Sequence, residues 1–159
     1  MIKTILIFAS LFLLLSCGKQ VVLFEDIPES GWEQQHWVQF QYSHRLPKKE
    51  VALNWVLRHD DDYPFANIHL ITEWRSPKGL LKSDTLTYLL AEADGRWLGK
   101  GFYVVEHLLP FKDRYLLQEP GNYIFRVRPA VRDTDKLIAE KTLPGIRQIG
   151  ISLNPLSND

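Results

Sequence analysis

The chain has 159 residues with 19 basic and 19 acidic side chains and a single cysteine. An even charge balance gives no support for nucleic acid as partner, the basic residues are scattered along the sequence rather than gathered into a polybasic lipid-binding run, and one cysteine excludes an internal disulfide. The length suits one domain with a core of its own.

In chain order, Lys3 is the only charge before Cys17, and Ile5 to Leu15 is apolar apart from Ser10. A short basic leader, an apolar run of this length and a cleavage site match a secretory signal. As a helix the run would reach only about 16 Å at ~1.5 Å per residue, roughly half of a hydrocarbon core, so it is too short for a permanent span. Leu14-Leu15-Ser16-Cys17, which closes it, resembles the lipobox of bacterial lipoproteins. That resemblance implies a diacylglyceryl group on the Cys17 thiol and cleavage just before it. The expected division is then a signal peptide over residues 1–16, a lipidated tether over 17–20 and a single β-sandwich domain over 21–156. The lipid bilayer is the first expected partner, because each buried methylene contributes about 0.8 kcal/mol and two or three acyl chains hold where one is marginal. Gly18-Lys19-Gln20 lacks the acidic stretch associated with surface display in lipoproteins of the Bacteroidota. By that likeness the chain is expected on the outer membrane, facing the periplasm.

After the tether, Val21 to Phe24 is an apolar run of strand length, read as a first strand or a docking segment. The middle of the chain alternates with period two between turn residues. Val38 and Phe40 are flanked by Trp37, Gln39 and Tyr42 in a run ended by Pro47. Val51, Leu53, Trp55 and Leu57 alternate with Ala52, Asn54 and Val56, which places the larger side chains on one face. Ile68, Leu70 and Thr72 alternate up to Trp74, and Pro77-Lys78-Gly79 supplies a turn. Thr85 to Ala91 leads to Asp94-Gly95, read as a type I′ hairpin turn with Phe102 to Val105 as the returning strand. Pro120-Gly121 turns into a strand in which Tyr123, Phe125 and Val127 alternate with Ile124, Arg126 and Arg128, the arginines facing solvent. Pro129 stops it for want of an N–H. Ala130 to Lys141 reads as a charged loop with a short helical turn. Ile146, Ile149, Ile151 and Leu153 form the closing strand before a frayed tail, Ser157 to Asp159.

Eight or nine short strands with almost no helix predict an all-β fold, an antiparallel β-sandwich of jelly-roll type, with an immunoglobulin-like sandwich as the alternative. No apparatus for catalysis stands out. The five histidines, at 36, 44, 59, 69 and 107, show no spacing that pairs two beside a carboxylate as zinc requires, and no serine sits in a nucleophile elbow. Asp60, Asp61 and Asp62 offer three carboxylates on one interstrand loop. They read either as a solvated acidic turn or as a calcium site, though their spacing is not that of the alternating calcium loop. No cofactor is expected.

Three stretches carry a specific resemblance: Arg58 to Asn67; Asp84 to Gly101, with Trp97-Leu98-Gly99-Lys100-Gly101 as its most distinctive part; and Leu143 to Leu153, which contains Pro-Gly-Ile-Arg-Gln-Ile-Gly-Ile. Together with the lipobox and Trp32 they resemble the GldH family of gliding-motility lipoproteins of the Bacteroidota. One departure is the charged segment Asp133 to Lys141, longer than the corresponding connection in that family. The resemblance implies a non-enzymatic envelope lipoprotein that supports gliding and the associated type IX secretion machinery through contacts with other envelope motility or secretion proteins.

The candidate interaction residues are Trp97, Gly99, Gly101, Tyr63 and Phe65. Gly99 and Gly101 suit a bulge or close backbone contact. Trp97 suits either a core plug or a docking contact, and Tyr63-Pro64-Phe65 a proline-fixed start of a strand with its rings packed inward. An alternative of another class is a lipid-tethered carbohydrate-binding module with calcium on Asp60 to Asp62, which requires at least two coplanar, solvent-facing rings among Trp32, Trp37, Trp74 and Trp97.

Overall fold

The computed structural model describes residues 20–46, 48–130 and 142–156. The expectations for the signal segment, Cys17, most of Ala130 to Lys141 and the tail lie outside the described residues. Eleven strands and, among the described residues, no helix make up the fold. They are β1 (Val21–Asp26), β2 (Trp32–Glu33), β3 (Val38–His44), β4 (Lys49–His59), β5 (Asn67–Arg75), β6 (Leu81–Leu89), β7 (Lys100–Gly101), β8 (Val105–Leu117), β9 (Gly121–Pro129), β10 (Thr142–Leu143) and β11 (Ile146–Pro155). One sheet runs β1-β11-β4-β8-β7, a second β3-β9-β5-β6, and β10 pairs with β2. Every pairing is antiparallel, and the two larger sheets pack as a sandwich.

Period two decides which side chains meet between the sheets. On β4, Val51, Leu53, Trp55 and Leu57 are all buried, as the alternation requires. Ile149, Ile151 and Leu153 of β11 join them from the same sheet, while Tyr123, Phe125 and Val127 of β9 and Ile68, Leu70 and Trp74 of β5 face them from the other. Aromatic contacts bridge the layers: Phe111 of β8 stacks on Trp55 at 5.5 Å and meets Trp74 edge-on at 5.1 Å. The edges of the two sheets are joined where Tyr88 Oη of β6 donates to the Pro110 carbonyl of β8 at 2.6 Å and Lys112 Nζ pairs with Asp84 at 3.1 Å. The outward arginines of β9 lie over Trp37 rather than in open solvent, with their Cζ atoms 4.5 and 5.1 Å from its ring centroid.

Two expectations are corrected. A type I′ turn needs positive φ at both central residues, yet Lys48 is the one described non-glycine residue with positive φ, leaving Gly95, at 86°, as the left-handed residue of this turn. Gly95 N–H closes on the Glu92 carbonyl at 2.9 Å, so Ala93 and Asp94 are central and Gly95 follows as a bulge. The returning partner is Trp97, bridged to Ala91, and not Phe102 to Val105. Val105 instead begins the 13-residue β8, whose Pro110 is tolerated because beyond Glu106 the strand is bordered by β4 alone and has a free edge.

The register gives the sandwich two ends. β1 starts, β11 finishes, and the β3–β4, β5–β6 and β8–β9 connections turn at one of them, the tether end. The β4–β5, β6–β7, β7–β8 and β10–β11 connections turn at the other, the far end.

Candidate functional site

At the far end three stretches far apart in sequence converge. β4 delivers His59, which is fully buried, and the antiparallel β8 delivers His107 beside it, with their Nε2 atoms 3.0 Å apart. His59 Nδ1 lies 2.9 Å from the Asp60 carbonyl, which only accepts, so Nδ1 carries the proton and donates. With His59 neutral its Nε2 is then an acceptor, and His107 Nε2–H must donate to it. Burial holds both rings neutral: desolvation lowers the His59 pKa, and desolvation with the neighbouring His59 lowers that of His107 to about 4.

Trp97 stands edge-on to the His59 ring at a centroid distance of 4.3 Å, half-buried and packed against the core. Tyr63 lies 5.3 Å from His59 on another side, its hydroxyl donating to the Asn67 carbonyl at 2.7 Å, and burial raises its pKa far above the ordinary phenol value. Phe65 packs edge-on to Tyr63 at 5.7 Å. The Tyr63 and Phe65 rings pack inward, as their place after β4 suggests.

Glycines let backbones meet around this cluster. A Cβ on Gly99 would stand 2.6 Å from the Glu106 carbonyl and 2.8 Å from His107 Nε2. Gly101, with φ of 135°, would place one 1.9 Å from the Val104 carbonyl. That constriction turns the chain out into Phe102, Tyr103 and Val104, which form an exposed tip between β7 and β8. Beside the tip is an open recess lined by Asp26, Arg58, Lys100, Val104, Glu106 and Gln148. Arg58 organises its floor, pairing with Glu106 at 2.7 Å, donating to Gln148 at 2.6 Å and lying 4.1 Å above the Phe24 ring.

The acidic loop is answered by an arginine. Arg147 donates to Asp60 and, at 3.0 Å, to Asp62, while Asp61 is exposed. Among the described residues no three histidine, cysteine, aspartate or glutamate side chains gather as a metal site would have them. The tryptophans expected of a carbohydrate platform do not form one: Trp32 and Trp74 are buried, Trp37 lies under two arginines and Trp97 stands against His59. The arrangement frames two exposed rings with a closely packed, hydrogen-bonded support.

The eight residues marked by sequence as interaction or calcium candidates, Asp60 to Asp62, Tyr63, Phe65, Trp97, Gly99 and Gly101, therefore lie at this one end. Sequence reasoning weighed His59 and His107 only as possible metal ligands, placed Phe102 in a strand, and gave no role to Arg147 or Tyr103. A family model described as GldH lipoprotein matches residues 21–153, which include the whole far end. The chain belongs to the GldH lipoprotein family. It is 32% identical over 150 residues to the gliding motility lipoprotein GldH homolog of Christiangramia forsetii, covering 94% of this chain and 93% of that one. It is 33% identical over 144 residues to the gliding motility lipoprotein GldH of Flavobacterium johnsoniae, covering 89% of each. Membership makes it a membrane-anchored lipoprotein of the cell envelope with a role in gliding motility. Among solved structures, infectious bursal disease virus of the Gx strain superposes with a TM-score of 0.35 at 10% identity, over 86% of this chain and 32% of that one, too slight a likeness to support any statement.

Proposed function

We propose that this GldH lipoprotein is non-enzymatic, is acylated at Cys17 on the periplasmic face of the outer membrane, and supports gliding and the associated type IX secretion machinery by protein–protein contact at its far end. The observation that carries the contact is the tip: Phe102 and Tyr103 are 84% and 83% exposed, and their rings meet edge to face at 5.0 Å. Adjacent aromatic rings on a shaped support are what protein partners bury at the centre of an interface. The strand order supports the jelly-roll form of the sandwich: the first and last strands are neighbours in one sheet, whereas the immunoglobulin fold puts them in different sheets.

The test is the double variant Phe102→Ser, Tyr103→Ser in a gliding strain. Neither ring is packed into the core, so the urea midpoint should move by less than the equivalent of about 0.5 kcal/mol. Colony spreading and adhesin secretion should fall, and a photo-cross-linker at position 104 should lose its protein adduct. Normal spreading by a normally abundant double variant overturns the proposal.

A further inference from the structure

We infer that the tether end is a bilayer-contacting surface, on which exposed leucines enter the headgroup region and the surrounding cations face anionic lipid. The inference rests on the reading that Cys17 is acylated. Four Cα–Cα steps separate Cys17 from Val21, a reach of at most about 14 Å. Val21 pairs with Leu153, which pairs with Leu53, so it sits four residues in from the tether end of β4 and six from His59 at the far end. At ~3.3 Å per residue these are about 13 and 20 Å. The tether therefore reaches the bilayer past the near end and falls short of the far one, so the protein either stands on its tether end or lies along the β1 edge.

Side chains choose between these poses. Leu46 of the β3–β4 corner, Leu80 and Leu81 of the β5–β6 turn and Leu116 of β8 are 63%, 65%, 53% and 41% exposed, and the connections that carry them turn at the same end. The turns are neighbours: a Cβ on Gly121 would stand 2.7 Å from Pro77. Around the leucines lie Arg45, Lys48, Lys49, Lys78, Lys82 and Arg114 against Glu50, Asp113 and Glu119. Basic residues that looked scattered along the sequence are thus gathered by the fold. Lys78 and Arg114 pair with Glu119 and Glu50, but no acid among the described residues lies within ion-pair distance of Arg45, Lys48 or Lys82. Lys48 even holds a left-handed φ of 41°, where glycine would sit without strain, so the corner keeps a cationic side chain at a conformational cost. Among the described residues the far end has the opposite sign, with Asp26, Glu29, Glu33, Asp60, Asp61, Asp62, Glu92, Asp94 and Glu106 against Arg58, Arg96, Lys100, Arg128 and Arg147. An anionic surface attracts one end and repels the other, and apolar side chains with lysines beside an acyl anchor make the second signal that fixes orientation as well as location.

The test uses the acylated protein, in which the Cys17 sulfur is blocked and a single introduced cysteine is labelled with an environment-sensitive fluorophore. Leu46→Cys, Leu80→Cys and Tyr103→Cys are each reconstituted on phosphatidylcholine vesicles containing brominated lipid, with and without phosphatidylglycerol. Mass spectrometry of the same samples reports the acyl chains, so failure of the tether is seen separately from failure of the orientation. Quenching should be several-fold stronger at positions 46 and 80 than at 103, should strengthen with phosphatidylglycerol, and should weaken at position 80 when Lys48→Glu and Lys82→Glu are added. Equal quenching at all three positions, or none at 46 and 80 on acylated protein, overturns the inference. So does a photo-cross-linker at position 80 that, in native envelopes, yields a protein adduct in place of a lipid one.

Discussion

The two ends of this sandwich are built from the same strands and differ in almost everything else. At the far end backbones are pressed together through glycines, charges are cross-linked and two buried histidines share a proton. At the tether end the Gly79 turn is open, and exposed leucines lie beside Lys48 and Lys82, which no described acid pairs. Gly145 at the far end has φ of 76°, and a Cβ there would stand 2.2 Å from the Tyr63 nitrogen, whereas Gly79 at the tether end has φ of 82° with nothing within 4 Å. These two turns share a backbone strain and differ in crowding, while Gly95 at the far end is as open as Gly79 and Gly121 at the tether end meets Pro77.

Adding the same methyl group to Gly145 and Gly79 should give the largest difference between them. Gly145→Ala carries the left-handed penalty and a clash with backbone that has no flexible end to swing away, for a loss of about 3–5 kcal/mol. That is a large fraction of a domain's stability. Gly79→Ala carries the penalty alone, about 1–2 kcal/mol. Urea midpoints at constant slope measure both, and equal losses would erase the difference between the ends.

Buried histidines give the next largest contrast. The His107 pKa lies at about 4 in the folded protein against 6.5 when free, so the unfolded chain takes up its proton first. Stability from this group is complete above about pH 6.5 and is lost as pH falls toward 4, by about 3 kcal/mol. His59 and, at the tether end, His44 are also lowered by burial and act in the same direction. His107→Gln keeps a donor for His59 Nε2 and removes the titration, so the slope of stability between pH 6.5 and 4 should flatten. An unaltered slope would place the acid sensitivity elsewhere.

How much of this could be read from sequence follows from which interactions are local. The core faces of β4, β5 and β9 were legible because alternation is a property of consecutive residues: Val51 to Leu57 point as their spacing says, and so do Tyr123 to Val127. β8 was not, because Pro110 and the polar residues around it break the pattern, and the proline is tolerated where the strand has a free edge and its register with β4 shifts. The His59–His107 contact joins residues 48 apart and exists only through the β4–β8 register. No spacing rule anticipates it. Trp97 showed the same limit in another form. The residue and its glycines stood out, but whether the indole faced core or partner depended on where β8 placed His107. The clustering of Leu46, Leu80 and Leu116 likewise needs the fold to fold three separate turns onto one end.

The smallest predicted effect concerns charge. Arg147 donates to both Asp60 and Asp62 from a partly exposed position, so Arg147→Met leaves two carboxylates facing each other on one loop. Exposed pairs of this kind contribute about 1 kcal/mol or less, and the loss should shrink as salt screens the remaining acids. Lys82→Met removes a charge that no described acid answers, so its urea midpoint should match the parent within the equivalent of about 0.5 kcal/mol at every ionic strength. The two substitutions thus delete one cation each at opposite ends, and only the first should be felt in solution. The lysine's contribution is to attraction toward an anionic surface, so its loss should appear as faster release from phosphatidylglycerol vesicles than from phosphatidylcholine alone. A Lys82→Met variant destabilised in solution as much as Arg147→Met would mean that both ends use their charges to hold the fold.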